Sequence, residues 1–455
     1  MNEEARQLQK RERMLNAPVE RLISHLAVPT IISMLVTTFY NMADTFFVGK
    51  LDNTSATGAV GVVFSLMAII QAFGFFFGHG SGNYVSRKLG ESRTDEAEKM
   101  VASGFVYAII AGTVIMTAGL VLLEPLAILL GATPTILPFA MDYMRVILLG
   151  APVMCGSIVL NNQLRFQGNA IYSMVGLAGG AVLNIALDPL LIFVLDMGVM
   201  GAALATVISQ AVSFLLLWIG ARRGDSLKIH LRNIVFSGKL MLEILRGGTP
   251  SLGRQGLASV ATMCLNHMMG NFGDAAIAAM AIVSRIVMFV SSAMIGFGQG
   301  FQPVCGFNYG AGRYDRVRRA FFFCLKVSAV FLFSFGLLGI FLAPHVVALF
   351  QRNDPEVLRI GALALRCQLA TIALMSFVIL ANMMLQTVGK VGGATLLATA
   401  RQGLCFIPSV LILPHFLGIW GVLLAQPVAD VLSFAIALPI GGSFLADLRR
   451  RSLAE

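Results

Sequence analysis

The chain has 455 residues, of which 57% are apolar and only 12% are charged, and its formal net charge is +10. A soluble globular domain would carry about 25% charged residues. This composition, with a mean hydropathy of +0.81, therefore excludes a soluble protein and indicates one that crosses a membrane many times. The positive charge does not indicate a nucleic-acid partner, because the basic residues fall in short loops between apolar segments, as in the cytoplasmic loops of membrane proteins.

Apolar stretches long enough to span a membrane recur along the whole chain. A membrane-spanning helix needs about 20 mostly apolar residues, and about twelve such stretches are present. They lie near residues 24–47, 56–80, 100–123, 139–160, 171–195, 198–220, 247–271, 276–302, 320–343, 359–385, 393–416 and 418–444. The predicted fold class is therefore an all-α membrane protein with about twelve transmembrane helices.

The segments between the spans predict the orientation. Basic residues are concentrated in the N-terminal segment 1–23, the linker 222–246 and the tail 445–455, whereas loops such as Gly49–Ser55 and Asp196–Gly198 are short and poor in Lys and Arg. Because cytoplasmic loops are enriched in Lys and Arg, both termini are expected in the cytoplasm, and an even number of spans agrees with this. The N-terminal segment is too charged for a secretory signal peptide. The predicted location is the plasma membrane, which in bacteria is the inner membrane.

An internal repeat relates the two halves of the chain with a shift of about 220 residues. The matching pairs are Ala27–Thr30 with Gly248–Ser251, Gly78 and Gly80 with Gly298 and Gly300, Leu89–Asp95 with Tyr309–Asp315, Asn161 with Asn382, and Gly198 and Gly201 with Gly418 and Gly421. The halves, 24–221 and 247–444, each hold six spans, an even number, so they are predicted to be parallel repeats. Two such six-helix bundles are expected to enclose a central cavity that opens alternately to the two sides of the membrane.

The sequence lacks the motifs of ATP-driven pumps and of common enzymes. It contains no Gly-x-x-x-x-Gly-Lys-Ser/Thr loop, no His-Glu-x-x-His and no Gly-x-Ser-x-Gly. Its six cysteines are scattered singly, which does not suggest a zinc site or a redox dithiol. A secondary transporter without a cofactor is therefore predicted, rather than an enzyme.

Two carboxylates interrupt the apolar spans of the first half. Asp44 lies at the end of the first apolar run, and Asp188 lies in the fifth span, one helical turn after Asn184. An ionised carboxylate in hydrocarbon costs about 2.5–3.5 kcal/mol on insertion scales, so it persists where it has a partner or a function. Thr206, in the following span, adds a hydroxyl to this set.

These four residues predict a site for the coupling ion of a transporter. Oxygen ligands suit a hard cation such as Na⁺. Two neighbouring carboxylates do not readily remain ionised together, which suits exchange of H⁺. In the alternative interpretation, Asp44 is solvated at a helix end and Asp188 is paired with a buried donor.

Four stretches resemble those of the MATE (multidrug and toxic compound extrusion) family, in the branch of the bacterial MepA exporters. They are Asn41–Gly49, Gly80–Gly90, Asn184–Pro189 and Gln302–Ala311. The resemblance extends over essentially the whole chain and implies an antiporter that expels organic cations in exchange for H⁺ or Na⁺. It also implies that the positions of Asp44, Asn184, Asp188 and Thr206 form the cation site of the N-terminal half, where Na⁺ would bind.

The second half departs from the first at these positions. Asp44 aligns near Leu265, and Asp188 aligns near Pro408 or Ser409, so both acids are missing there. Asp430 in the last span is the acid that remains as a candidate. Ion coupling is therefore expected in the N-terminal half.

The candidate substrate-cavity residues combine polarizable Met and flat Phe side chains, which can contact varied lipophilic cations, with polar residues of the spans. They are Met34, Phe39, Met42, Phe64, Met67, Asn161, Gln163, Arg285, Met294 and Gln299. For Met and Phe, the competing interpretation is packing against the core or the lipid. For the polar residues it is hydrogen bonding between helices.

The predicted function is secondary active export of lipophilic organic cations in antiport with H⁺ or Na⁺. The expected partners are small cationic substrates and the lipid bilayer, with no nucleic acid, and the expected state is a monomer. The alternative is a flippase of a lipid-linked saccharide, or an exporter of an endogenous metabolite, on the same architecture. A flippase would need cationic residues in the cavity to hold a pyrophosphate, and the acidic residues of the first half disfavour it.

Overall fold

The computed structural model describes residues 3–48, 50, 54–223, 225–350 and 354–454, and within these ranges the regular structure is entirely helical. Gly49 and most of the predicted loop Gly49–Ser55 lie outside the described residues. The all-α prediction is confirmed, because every predicted span falls on a helix or on a helix with one interruption.

The first half contains eight α-helices. They are α1 (Glu3–Asn16), α2 (Val19–Val48), α3 (Thr54–Gly90), α4 (Thr94–Val121), α5 (Leu123–Leu129), α6 (Leu137–Phe166), α7 (Ala170–Pro189) and α8 (Gly198–Arg223). α7 continues directly as a π-helical segment, Leu190–Val194. The amphipathic α1 and the short α5 lie outside the six predicted spans.

The second half begins after the linker, which contains a 3₁₀ turn at Leu231–Asn233. Its helices are α9 (Gly238–Gly270), α10 (Asp274–Gly310), α11 (Tyr314–Ala348), α12 (Pro355–Thr371), α13 (Met375–Val388), α14 (Val391–Thr399), α15 (Ile407–Leu417) and α16 (Ile419–Ala454). The 3₁₀ turn Ile372–Leu374 joins α12 to α13, and the π-helical segment Ala400–Phe406 joins α14 to α15. Each of these two pairs therefore forms one interrupted span.

Eleven helical stretches among the described residues are long and apolar enough to cross a membrane. The predicted span 247–271 belongs to α9, which is as long as its neighbours but carries Arg254, Gln255 and His267 along its length. These polar side chains lower its mean hydropathy, so α9 is not among the eleven apolar stretches. The chain is thus a multi-pass membrane protein with eleven or twelve spanning helices.

α9 begins earlier than the sequence indicates. The amphipathic piece Leu240–Leu245 lies within the predicted linker 222–246, but it forms part of the first turns of α9. Ile244 is fully buried, and its carbonyl oxygen lies where a Cβ at Gly80 of α3 would be. Ile244 therefore packs between the two bundles, whereas Leu242 and Leu245 on the other side of the helix are exposed.

Several helix ends, the linker and α1 lie together at one end of the molecule, which we call the terminal face. Lys10 of α1 donates a hydrogen bond to the carbonyl oxygen of Asp225 in the linker (2.8 Å). Arg11 donates to the carbonyl oxygen of Gly90 at the end of α3 (2.9 Å). At the C-terminal end of α16, the Arg451 guanidinium lies over the ring of Tyr314 at the start of α11 (5.7 Å). We call the opposite end the distal face.

α1 also bonds to the second bundle. Asn308 of α10 donates to the carbonyl oxygen of Met14 (3.3 Å), and Arg313 donates to that of Leu15 (3.0 Å). The side chains of Met14 and Leu15 are buried in the main apolar core. α1 is therefore a strap across the terminal face, with one set of contacts on each half.

The two bundles meet along closely packed helices. The Thr30 hydroxyl of α2 donates to the carbonyl oxygen of Gly296 in α10 (2.6 Å), and the Thr38 hydroxyl donates to that of Ser292 (2.8 Å). A Cβ at Gly300 would overlap the backbone of Ala27. Glycine allows this close approach between membrane helices, so the repeated Gly-x-Gly motifs serve packing.

Candidate ion and substrate site

Asp44 lies near the distal end of α2, one helical turn after Tyr40. The side chain is partly buried, and its Oδ1 is buried without a hydrogen-bond partner among the described residues. Tyr40, on the same face of the helix, is buried. The interpretation of Asp44 as a fully solvated carboxylate at a helix end does not describe this environment.

Asp188 and Asn184 lie on one face of α7, as their spacing predicts. Asp188 is fully buried, and in the described part of the chain neither of its carboxylate oxygens has a hydrogen-bond partner. Asn184 is buried too, and among the same residues neither its amide nitrogen nor its amide oxygen is bonded. The alternative in which Asp188 pairs with a buried donor is therefore not seen.

Pro189 follows Asp188 and changes the helix at this point. Proline has no N–H to donate to the carbonyl oxygen four residues earlier, which here belongs to Ile185. The chain then leaves α-geometry and continues as the π-helical segment. Such segments are frequent at functional sites. The backbone beside Asp188 thus has a carbonyl oxygen that Pro189 cannot satisfy.

α6 and α8 complete the site with two hydroxyls. Thr206 of α8 is buried and shares a hydrogen bond with Tyr143 of α6. Asp44 and Asp188 are close enough to act on each other electrostatically, and both act on Tyr40 and Tyr143. The structure therefore brings the two carboxylates together from α2 and α7.

Two cavities adjoin this cluster. The larger has a volume of about 320 Å³ and is lined by Asp44, Phe64, Met67, Tyr143 and Thr206, among others. The smaller, of about 20 Å³, is lined by residues that include Asn184 and Thr206. It has room for one water-sized particle. Thr206 and Tyr40 line both, so an ion-sized space and a ligand-sized space meet at these residues.

The arrangement suits a small hard cation. Carboxylate, amide and hydroxyl oxygens are the ligands that such ions prefer. In the described ranges, no three His, Cys, Asp or Glu side chains group as a transition-metal site would require. A cation here would be held by two carboxylates and neutral oxygens, and a proton would be held by either carboxylate.

The candidate substrate-cavity residues separate into two groups. Phe64 and Met67 line the larger cavity. The second group lies where α2 meets α10. The Gln299 amide donates a hydrogen bond to Met34 Sδ (3.7 Å), and Phe39 packs edge-to-face against Phe289 of α10 (5.5 Å between ring centroids). These contacts bring α2 and α10 together where the two bundles meet.

The remaining candidates lie elsewhere. Asn161 donates to the Ser173 hydroxyl (2.7 Å), and Gln163 donates to the Ser81 hydroxyl and to the carbonyl oxygen of Val101 (3.1 Å each). Both therefore bridge helices. Met42 is half-buried, Met294 is buried and Arg285 is exposed; among the described residues, none of the three lines the larger cavity.

Two tyrosines of the site were missed by the sequence interpretation. Tyr40 and Tyr143 are both close enough to Asp44 and Asp188 to be affected by their charges, and Tyr143 is hydrogen-bonded to Thr206. Tyr40 could have been found from its spacing of one helical turn before Asp44. Tyr143 lies in another span, and no local signal distinguishes it from a tyrosine at the membrane interface.

The second bundle holds its acid differently. Asp430 of α16 is buried and forms an ion pair with Arg401 of the π-helical segment between α14 and α15 (2.8 Å). Gln426 donates to the same carboxylate (2.9 Å), and so does Thr371 at the end of α12 (3.2 Å). Asp430 is therefore neutralised and fully hydrogen-bonded.

A buried arginine, also missed from sequence, lies between the bundles. Arg165 of α6 donates to Asn162 Oδ1 (2.6 Å) and to Gln302 Oε1 of α10 (3.1 Å), and it contacts His79 Nε2 (3.3 Å). His79 Nδ1 is in turn 3.0 Å from the Ser251 hydroxyl of α9. This chain of polar contacts crosses from one bundle to the other.

Arg254 of α9 acts electrostatically on Arg165. Neither arginine has a carboxylate partner among the described residues, and the Arg165 Nε is buried without an acceptor. Two positive charges therefore face each other across the bundle interface. Arg165 was overlooked because a basic residue at the end of an apolar run resembles an ordinary loop arginine.

Comparison with known proteins gives results for the whole chain. The family model described as MatE matches twice, at residues 29–190 and at 250–411, which confirms the internal repeat. The multidrug export protein MepA of Staphylococcus haemolyticus is 27% identical over 444 residues, covering 96% of each chain. The MepA of Staphylococcus aureus strain N315 is 29% identical over 430 residues, covering 93% of this chain and 94% of that protein.

Solved structures agree with these relatives. An outward-facing multidrug resistance MATE family transporter of the MOP superfamily superimposes with a TM-score of 0.91 at 26% identity, over 96% of this chain and 98% of that one. A MOP superfamily transporter from Pyrococcus furiosus, described as having a binding pocket of reversed polarity that suggests a different function, superimposes with a TM-score of 0.89 at 26% identity over the same shares. The double match of the family model and the fold together show that this chain belongs to the MatE family of membrane transporters.

Proposed function

We propose that the protein is a secondary active multidrug exporter that expels lipophilic organic cations in antiport with H⁺ or Na⁺. One observation carries the proposal: Asp188 is fully buried, and among the described residues neither of its oxygens has a hydrogen-bond donor. A buried carboxylate without a donor is unfavourable unless a cation or a proton neutralises it. The MepA relatives, which are named as multidrug export proteins, support the direction and the breadth of transport.

The site supports coupling by competition for negative charge. When Asp44 and Asp188 are ionised, the cavity beside Phe64 and Met67 is negative and favours a lipophilic cation. When H⁺ or Na⁺ neutralises the carboxylates, that attraction is lost and the substrate dissociates. Thr206 and Tyr40 line both the small and the large cavity, so an ion bound in the small cavity contacts residues that also form the wall of the substrate cavity.

The same proposal assigns the terminal face to the cytoplasm. The basic residues of the N-terminal segment, the linker and the tail support this orientation. The bundles are held together at the terminal face by α1 and by the contacts of Gly80 and Ile244. The carboxylate site lies toward the distal face, so this conformation corresponds to the outward-facing state of the cycle.

Transport by the purified full-length protein in proteoliposomes tests the proposal. Export of a fluorescent lipophilic cation would be measured under an imposed pH gradient and, separately, under an imposed Na⁺ gradient. Uphill export under either gradient would identify the coupling ion. Equal, downhill movement under both conditions would indicate a channel, and no movement with well-folded protein would contradict cation export.

A second candidate is export or flipping of a substrate with an anionic group, such as a lipid-linked saccharide. Arg165 and Arg254 favour it, because they place two positive charges without carboxylate partners, among the described residues, where the bundles separate. An Arg165→Gln variant separates the candidates. It would keep gradient-driven export of the cation if the first is right, whereas the second requires loss of transport of the anionic substrate.

A further inference from the structure

A pocket lined by basic and aromatic residues lies at the terminal face, away from the carboxylate site. It is formed by the last turns of α8 and by the linker, and its volume is about 320 Å³. The described residues that line it are Trp218, Ala221, Arg222, Lys228, Ile229 and His230, with no carboxylate among them. This volume lies within the range of pockets that hold small ligands, and the side chains select for negative charge.

The pocket is held in shape by hydrogen bonds from neighbouring segments. Gln167 Oε1, after α6, accepts from the backbone N–H of Leu227 (2.7 Å), and Asn169 bonds to the Ser226 hydroxyl. Farther along the linker, the Ser103 hydroxyl accepts from the N–H of Val235 (3.0 Å). The linker is thus attached on both sides of Lys228–His230, so the pocket is pre-formed.

Trp218 is fixed as well. Its ring stacks on Phe214 (6.2 Å between centroids), lies 5.6 Å from Phe105, and supports the Arg222 guanidinium at 5.0 Å. Tryptophan is enriched at the level of lipid headgroups, where one edge is apolar and the other is polar. Trp218 therefore marks the height at which the membrane surface meets the pocket.

A stripe of exposed apolar residues leads along α8 to this pocket. Leu215 and Ile219 are 56% and 44% exposed, and Arg222 is exposed one turn beyond them on the same helical face. In a membrane-spanning helix, such exposed aliphatic residues face lipid. An acyl chain lying on Leu215 and Ile219 would carry its headgroup to Arg222, which favours a membrane lipid over a soluble anion.

We propose that this pocket binds the phosphate headgroup of an anionic phospholipid from the leaflet at the terminal face, with its acyl chains along α8. The exposed Arg222 guanidinium neutralises the phosphate, and Trp218 packs against the glycerol region. The bound lipid joins the end of the first bundle to the linker that leads into the second. The proposal is independent of the transported substrate and of the coupling ion.

Tryptophan fluorescence gives a direct test, because the chain has only two tryptophans, Trp218 and Trp420. Trp420 begins α16 at the distal face and is 47% exposed, so it provides a control for general contact with lipid. The Trp420→Phe variant would report on Trp218, and the Trp218→Phe variant on Trp420. Each purified full-length protein would be titrated in uncharged detergent with phosphatidylglycerol or phosphatidylcholine brominated in the acyl chain.

Phosphatidylglycerol should quench Trp218 at concentrations about fivefold lower than phosphatidylcholine does, because one basic residue near the surface contributes on the order of fivefold in affinity. The two lipids should quench Trp420 equally. In the Trp420→Phe background, adding Arg222→Gln should abolish the preference. Adding Arg223→Gln, which removes a charge next to the pocket but outside its lining, should retain it.

Three outcomes would overturn the proposal. Equal quenching of Trp218 by the two lipids would mean that the pocket does not select anionic headgroups. Loss of the preference in the Arg223→Gln control would indicate a diffuse surface charge effect. Displacement of phosphatidylglycerol by millimolar inorganic phosphate would identify a soluble anion as the ligand in place of a lipid.

Discussion

The two bundles treat a buried carboxylate in opposite ways. In the second bundle, Asp430 receives a guanidinium, an amide and a hydroxyl, so its charge is neutralised within the protein. In the first bundle, Asp188 is equally buried, but among the described residues it has no donor and its nearest charged neighbour is another carboxylate, Asp44. A buried ion pair is a structural element, whereas a buried carboxylate without a donor is a candidate site for a cation or a proton.

The comparison also shows how two related halves differ at the same point of the fold. The MatE model matches both halves, so they share a common pattern of helices. Each half has a π-helical interruption in its fifth span, but one follows Asp188 and the other contains Arg401. The same kind of break thus follows a buried carboxylate without a donor in one bundle and carries the arginine that pairs with a buried carboxylate in the other.

Replacing Asp188 with Asn should have the largest effect on transport. The variant loses the negative charge that we propose binds the coupling ion, so gradient-driven export should fall to the level of empty liposomes. Thermal stability should be retained, because the described structure shows no hydrogen bond to Asp188 that could be lost. The matched control is Asp142→Asn, at an exposed residue paired with Arg145 outside the site. Normal export by a well-folded Asp188→Asn protein would remove the ion site from this half.

Asp44→Asn should behave similarly, because we propose that the two carboxylates, which act on each other electrostatically, form one site. Export should again be lost or reduced at least tenfold, with the protein still inserted and folded. Export would be measured in the same proteoliposomes, alongside binding of the fluorescent cation at equilibrium. An active Asp44→Asn variant would reassign Asp44 to a structural role at the end of α2.

Asp430→Asn should reverse this pattern, with a large effect on stability and a small one on transport. Removing one partner of a buried ion pair leaves the other charge uncompensated, which typically costs about 3–5 kcal/mol. The melting temperature in detergent should therefore fall by several degrees, while export per folded molecule stays within about twofold. A double variant, Asp430→Asn with Arg401→Gln, should recover most of the stability because no unpaired charge remains. Loss of export without loss of stability would instead give the second bundle an ion site.

Tyr143→Phe should give the smallest effect. It removes the hydroxyl that bonds to Thr206, and one hydrogen bond contributes about 1 kcal/mol, or roughly fivefold in an equilibrium constant. The concentration of coupling ion that gives half-maximal export should rise by about that factor, while the maximal rate is little changed. Tyr107→Phe, at a tyrosine that bonds to the carbonyl oxygen of Val235, serves as the control and should leave ion dependence unaltered. No change in Tyr143→Phe would restrict the ligands to the residues of α2 and α7.

Local patterns in the sequence predict much of this architecture. Span positions follow from apolar length, and Asn184 and Asp188 fall on one face because helical periodicity is local. What sequence could not supply are pairings between distant segments. Arg401 lies in a different span from Asp430, and the burial of Arg165 depends on contacts from α3 and α10.

The ends of the helices were also underestimated, for a physical reason. Apolar length measures the hydrocarbon core of the bilayer, but α3, α10 and α16 continue beyond it to Gly90, Gly310 and Ala454. Outside the hydrocarbon, a helix is stabilised by amphipathic packing and not by hydropathy. The contacts that close the terminal face occur in these extensions.

The strap α1 gives the molecule a ring of connections. The linker connects the first bundle to the second covalently. α1 precedes the first bundle in the chain and is hydrogen-bonded to Asn308 and Arg313 of the second bundle, so it forms another connection between the two. α1 ends at Asn16 and α2 begins at Val19, so this second connection is short, and the linker is itself bonded to the first bundle at Leu227 and Val235. Any motion that parts the bundles at the terminal face must therefore break the contacts of α1, so opening at this face carries an energy barrier that the strap itself sets.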